Sequence, residues 1–266
     1  MGILNVTPDS FSDGGQFDSV EHALQQAQDL IAADMDILDI GGESARPNAD
    51  PVSPEEELNR VIPIIEAIRK ISNIPISIDT TKSSVAIAAI AAGADIVNDI
   101  SGATFDPTML STVARLQVPI ILMHLRGTPK TMQQMTDYQD VVQEVRDWLQ
   151  ERVNAAIAAG IPPAQLALDP GIGFAKTAEQ SIELLHRLSE FKTLPHPLLV
   201  GASRKSFIGA ILTRPNPQER IWGTAAACCA AIAGGADIVR VHDGAEMRDV
   251  CRVFDRLRRP LSGSLK

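Results

Sequence analysis

Short apolar runs alternate along this chain with longer stretches in which apolar residues recur every three or four positions. The runs at Gly2 to Val6, Ile37 to Asp39, Ile76 to Asp79, Ile96 to Asn98, Ile120 to Met123, Leu166 to Asp169, Leu198 to Val200 and Ile238 to Val241 suit buried parallel strands. Between them, Val20, Ala23, Leu24, Ala27, Leu30 and Ile31 form one helical stripe, and Leu58, Val61, Ile62, Ile65 and Ile68 form a second. The second opens on a capping box, Ser53 with Glu56, has Pro54 in its first position, and carries a Pro63 that could kink it. Tyr138, Val141, Val142, Val145, Trp148 and Leu149 form another stripe behind a candidate N-cap at Asp137. Eight strand–helix alternations predict an α/β fold, a single (β/α)8 TIM barrel spanning 1–266, with a doubly wound open sheet as the alternative. Two similar strings, Ala91 to Asn98 and Ala233 to Arg240, each read as helix end, glycine turn and strand start.

The ends of these runs are polar. Asn5, Asp39, Asp79, Asn98 and Asp169 close them, Lys205 lies beyond the seventh, and Arg240 and His242 sit on the eighth. A barrel gathers the C-terminal ends of its strands on one face, so residues far apart in sequence share one pocket. Composition narrows what that pocket can take. With 266 residues, 45% of them hydrophobic, the chain can bury a large core, and a net charge of −9 opposes bulk attraction to nucleic acid or anionic lipid. Small-molecule substrates fit best, with no nucleic-acid or membrane partner. Cys228, Cys229 and Cys251 are an odd set with two adjacent, which argues against a disulfide framework or zinc site and for reduced thiols in the cytoplasm. No apolar run is long enough to span a bilayer, and the chain opens on a strand rather than a signal-like segment.

Each candidate has a plainer reading beside the functional one. The amide of Asn5 could be a ligand for a hard cation such as Mg²⁺, which takes few protein oxygens, or could cap a turn. Asp39 opens D-I-G-G-E-S-A-R-P-N, whose glycines would let backbone approach a ligand and whose Arg46 offers a fork for phosphate oxygens or is simply solvated. Asp79, Asn98 and Asp169 could bind the donor-rich edge of a flat heterocycle or cap the helices that follow them. Lys205 and Ser206, in G-A-S-R-K-S, put a cation, a hydroxyl and a helix N-terminus near one anion. Arg240 and His242 are two apart on a strand, hence on one side of it, where two basic groups need an anion or a carboxylate. His124 is catalytic or lines the rim. Met123 and Phe174 are core or sandwich a ring.

The strings N-V-T-P-D-S-F-S-D-G-G, D-I-G-G-E-S-A-R-P, S-I-D-T, I-V-N-D-I, M-H-L-R-G-T-P-K-T-M-Q, D-P-G-I-G-F, S-R-K-S and R-V-H-D, in this order over nearly the whole chain, resemble dihydropteroate synthase. The resemblance implies condensation of 6-hydroxymethyl-7,8-dihydropterin pyrophosphate with 4-aminobenzoate in folate synthesis, with Mg²⁺ as cofactor, sulfonamides as aminobenzoate mimics and a homodimer. Carried over, Asn5 would hold Mg²⁺, and Asp79, Asn98, Asp169 and Lys205 would bind the pterin, with Met123 and Phe174 near it. Arg240 and His242 would hold the diphosphate. Thr7, Asp9 and Phe11 would belong to a first mobile loop and Arg46 to a second, and Ser206 would meet the aminobenzoate carboxylate. Asp79, Lys205, Arg240, His242 and Asp9 would carry catalysis, mainly by stabilising the leaving group in a dissociative substitution. A pterin-binding methyltransferase domain and a catalytically silent pterin-binding homologue are the alternatives.

Two departures from the family pattern stand out. Ala45 occupies the place of the usual threonine in G-G-E-S-T-R-P, removing a hydroxyl whose bond to a charged group is typically worth about 1.5–3 kcal/mol. The chain also starts at the first strand, without the preceding residues that plug the barrel bottom in relatives, so an exposed barrel floor is expected.

Overall fold

The computed structural model describes residues 1–6 and 16–258. Its strands are β1 (Gly2–Asn5), β2 (Leu38–Gly41), β3 (Ile76–Asp79), β4 (Ile96–Asp99), β5 (Ile120–Met123), β6 (Leu166–Asp169), β7 (Leu199–Val200) and β8 (Ile238–Val239). The first six pair in sequence order and in parallel, and β7 pairs with β8. Parallel bridges Leu168↔Leu198 and Gly2↔Val241 join the two sets, so the ring closes and the open-sheet alternative fails. Around it run α1 (Gln16–Ala32), α2 (Pro54–Arg69), α3 (Ser83–Ala92), α4 (Met109–Leu116), α5 (Val141–Ala158) and α6 (Ala178–His186). The circuit is completed by α7 (Ser206–Leu212) and α8 (Ile221–Ala233), both between β7 and β8, and by α9 (Gly244–Arg258). Among the described residues, no helix is long and apolar enough to cross a membrane.

Helix ends show where local chemistry was legible. Ser53 caps α2 by accepting the Glu56 amide at 3.1 Å, but the Glu56 carboxylate turns to Arg60, so only half of the expected capping box forms. The helix runs through Pro63 to Arg69. The N-cap of α5 is Asp140 rather than Asp137: its carboxylate accepts Val142 and Gln143 amides at 3.0 Å, while Asp137 lies by Arg126. Tyr138 therefore precedes the helix.

Strand alternation decides what faces the barrel interior. Leu4, Leu38, Ile40, Ile76, Ile78, Val97, Ile120, Leu122 and Leu168 join the core shared with the helices. Their neighbours in each strand, Asn5, Asp39, Asp79, Asn98, Met123 and Asp169, therefore point inward. The lower interior is apolar, with Met1, Ile121 and Leu199 buried against Ile37, Ile96, Ala167 and Ile238. Met1, Ile37 and Ile238 also line a cavity of about 700 Å³, together with Met35, Arg248 and Cys251, so this end of the barrel is open there, as expected. All three cysteines are free.

Candidate active site

Parallel register aligns the polar ends at the opposite, C-terminal mouth. Asn5 pairs with Gly41, Gly41 with Asp79, Asp79 with Asn98, and Met123 with Asp169. Arg240, beyond the end of β8, reaches across this row. Its Nε donates to Asp39 at 2.5 Å and its Nη2 to Asp79 at 2.8 Å. Asn98 donates its side-chain amide to both Asp39 oxygens at 3.1 and 3.3 Å. Asp39 lies inside its strand, one turn of the pleat deeper than Gly41, and is wholly buried. The anionic partner that Arg240 requires is therefore a carboxylate pair, Asp39 and Asp79.

Burial sets the protonation of this mouth. It raises Asp79 to about 7 despite the opposing Arg240 guanidinium, with Asp39 and Glu57 adding to the rise. It raises Asp169 to about 6, against the Gly171 amide that donates to its Oδ1 at 2.7 Å. Lys205 is lowered to about 8 by burial, with Asp169 opposing, and its ammonium sits 3.9 Å from the Phe174 ring centroid. Burial would also lower Arg240, but Asp39 and Asp79 outweigh it and hold the guanidinium charged. His242 is lowered to about 3, by burial and then by Arg204 and Arg240, so at neutral pH it is a neutral hydrogen-bonding group rather than a second cation. Ser203 Oγ accepts the His242 backbone N–H at 3.2 Å and lies 3.0 Å from Nδ1. In the tautomer in which the Ser203 hydroxyl donates to Nδ1, Nε2 carries the ring proton.

The remaining expectations divide. Ser206 is exposed at the start of α7, and Arg46 is exposed with no side-chain bond to a described residue. Thr7, Asp9 and Phe11 lie outside the described residues. Gly42 serves helix packing rather than a ligand: a Cβ there would meet Val61 of α2 at 2.8 Å. His124 is neither at the rim nor poised for proton transfer. It is buried, packs edge-on against Trp148, and is lowered to about 2 by burial and by Lys176.

Two groups escaped the sequence reading. Lys176 is buried beneath the β6 turn, where its Nζ meets His124 Nδ1 at 2.9 Å and the Phe174 carbonyl at 2.8 Å; burial drives its pKa well down. That turn needs Gly171 at φ +68°, where a Cβ would lie 2.1 Å from the His124 carbonyl oxygen. Lys82, after β3, bonds Glu43 of the β2–α2 loop and the fully buried Glu57 of α2. Lys82 stands among Thr80, Thr81, Ser83 and Ser84 and so looks like a surface position, whereas Lys176 follows Phe174 and Ala175 in a loop, where strand period does not report burial.

A family model described as pterin binding enzyme matches residues 1–242. The dihydropteroate synthase of Synechocystis sp. is 59% identical over 257 residues, spanning 97% of this chain and 89% of that protein. The chain belongs to the pterin-binding enzyme family. Solved structures place it among the dihydropteroate synthases of that family. The Xanthomonas albilineans dihydropteroate synthase with 4-aminobenzoic acid is 44% identical with a TM-score of 0.92, covering 98% of this chain and 93% of that one. The same enzyme in complex with 7,8-dihydropteroate is 42% identical with a TM-score of 0.89, covering 98% and 94%.

Proposed function

We propose that the C-terminal mouth of the barrel is a dihydropteroate synthase active site, with the whole chain acting as one pterin-binding barrel domain. The chain is a transferase that joins 6-hydroxymethyl-7,8-dihydropterin pyrophosphate to 4-aminobenzoate, releasing pyrophosphate. The observation that supports this placement best is the convergence of Asp79, Asn98 and Asp169 on the inner face beside Arg240 and Lys205. Acceptors on three strands match the N–H groups along one edge of a pterin, and Lys205 supplies a donor beside them. Met123 and Phe174 flank the ring. Arg240 Nη1 has no hydrogen-bond partner among the described residues and, with His242 Nε2–H, meets the diphosphate.

As the C–O bond to the diphosphate breaks, positive charge spreads into the ring. Ionised Asp79 and Asp169 favour that charge, and the guanidinium of Arg240 favours the departing anion. The arylamine is already nucleophilic and needs no strong base. Ser206, exposed at the start of α7, meets the aminobenzoate carboxylate, while Arg46, Thr7, Asp9 and Phe11 act from the loops.

Among the described residues no three His, Cys, Asp or Glu side chains gather as a metal cage. Mg²⁺ needs few protein oxygens, so a single side-chain amide oxygen would fit it. Asn5 faces the mouth, and its side chain makes no hydrogen bond to a described residue, so it would hold the ion, which supplies charge neutralisation on the diphosphate. A homodimer is supported by apolar side chains exposed on α7, α8 and α9: Ile211 at 63%, Trp222 at 78%, Val253 at 61% and Leu257 at 79%. The cytoplasm suits three free cysteines.

A coupled pyrophosphate assay tests the reading. Release that needs both substrates and rises with Mg²⁺ is expected, and Ala45→Thr should raise the rate. Pterin binding without release would leave a silent homologue.

A further inference from the structure

Asp39 touches two of the groups that meet substrate yet cannot touch substrate itself. It is wholly buried on the inner face of β2, beneath the row formed by Asn5, Gly41, Asp79 and Asn98. Three donor contacts reach its two oxygens: two from the Asn98 amide and one from Arg240 Nε. An ionised carboxylate accepts hydrogen bonds and donates none.

We propose that Asp39 is a positioning residue that fixes which face of the Asn98 amide meets the pterin and which edge of the Arg240 guanidinium meets the diphosphate. This rests on the assignment of those two substrate parts above.

For Asn98 the reasoning is one of polarity. Its NH2 turns to Asp39, which leaves the amide oxygen with no hydrogen bond to a described residue and available as an acceptor. Asp79, Asn98 Oδ1 and Asp169 then present three acceptors to one ring edge. Turned over, the same amide would set a donor against a donor, and a buried unmatched pair of that kind is costly.

For Arg240 the reasoning is one of geometry. Asp39 holds Nε, while Nη2 bonds Asp79 and Nη1 has no partner among the described residues. An entering diphosphate can draw Nη2 away from Asp79 while the Nε bond stays. The guanidinium then turns without leaving the pocket, and Asp79 is freed for the ring. One buried carboxylate thereby serves both halves of the substrate.

Titration calorimetry on the full chain separates this from a merely structural role, with 6-hydroxymethylpterin as the ring probe and inorganic pyrophosphate with Mg²⁺ as the tail probe. Asn98→Ala should weaken mainly the ring, and Arg240→Gln mainly pyrophosphate. Asp39→Asn should weaken both by about tenfold or more, since it disturbs one charge-assisted bond to each group. The double variant Asp39→Asn with Arg240→Gln keeps the buried charge balanced, so it remains informative if Asp39→Asn alone does not fold. It should bind the ring about tenfold more weakly than Arg240→Gln does. Equal ring affinity in those two variants, or an Asp39→Asn protein that melts lower yet binds both probes normally, would overturn the positioning role alone. Unchanged ring affinity in Asn98→Ala would overturn the pterin assignment on which it rests.

Discussion

Asp79 carries the clearest pH signature of any residue at the mouth. It titrates near 7, Asp169 near 6, and Lys205 near 8. Binding a donor-rich ring edge requires both carboxylates ionised and the lysine charged, so kcat/KM should rise with pH through about 7 and fall again above about 8. Asp79→Asn should remove the limb near 7 and lower kcat more than it raises KM; equal losses in both would indicate binding alone. The folded pKa of Asp79 lies above its unfolded value. Its contribution to stability is thus complete below the ordinary carboxylate range and is lost as pH rises through about 7. Asp79 and Asp169 were legible because each ends an apolar run at strand period, and Lys205 because it stands with Arg204 and Ser206 at a helix start after the seventh run. Lys176 was not, because burial here comes from a loop folding over it, which strand period does not report. Asp39 was visible as a candidate, but its partners come from β4 and from beyond β8, and no local pattern joins them.

Among the elements, the junction of β2, α2 and β3 bears most on the second loop. Glu43 accepts the Val52 amide at 3.1 Å, tying the two ends of that loop together, and Lys82 binds it to Glu57 within the fold. Burial raises Glu57, and Lys82 opposes the rise. Lys82→Met would leave Glu57 buried without its cation. Loss of one partner of a buried pair costs about 3–5 kcal/mol, and the partial exposure of Lys82 points to the lower end. Urea denaturation should show that loss, with much of it restored by adding Glu57→Gln, while full stability in Lys82→Met would refute the role. The stripe of α2 was readable, whereas Glu57 was not: an acid in the first turn of a helix ordinarily faces water and the helix dipole. Asp137 and Asp140 precede the same α5 stripe, and only backbone hydrogen bonds distinguish which one caps it.

At the scale of the molecule, eight short runs and the stripes between them were enough to predict the barrel, since strand length and order follow from apolar periodicity. Closure was less visible. It depends on bridges at Leu168↔Leu198 and Gly2↔Val241, where the strands thin to single contacts. The proposed dimer buries the exposed Trp222 of α8, so Trp222→Glu should shift sedimentation from dimer toward monomer; a wild-type monomer at assay concentration would contradict it. The central claim is that one mouth holds the ring and its diphosphate tail together. A crystal structure with 6-hydroxymethylpterin and pyrophosphate tests it most directly. The ring is predicted against Asp79, Asn98 and Asp169, with pyrophosphate on Arg240 and His242. Density for either in the cavity at the other end of the barrel, with this mouth empty, would contradict the account.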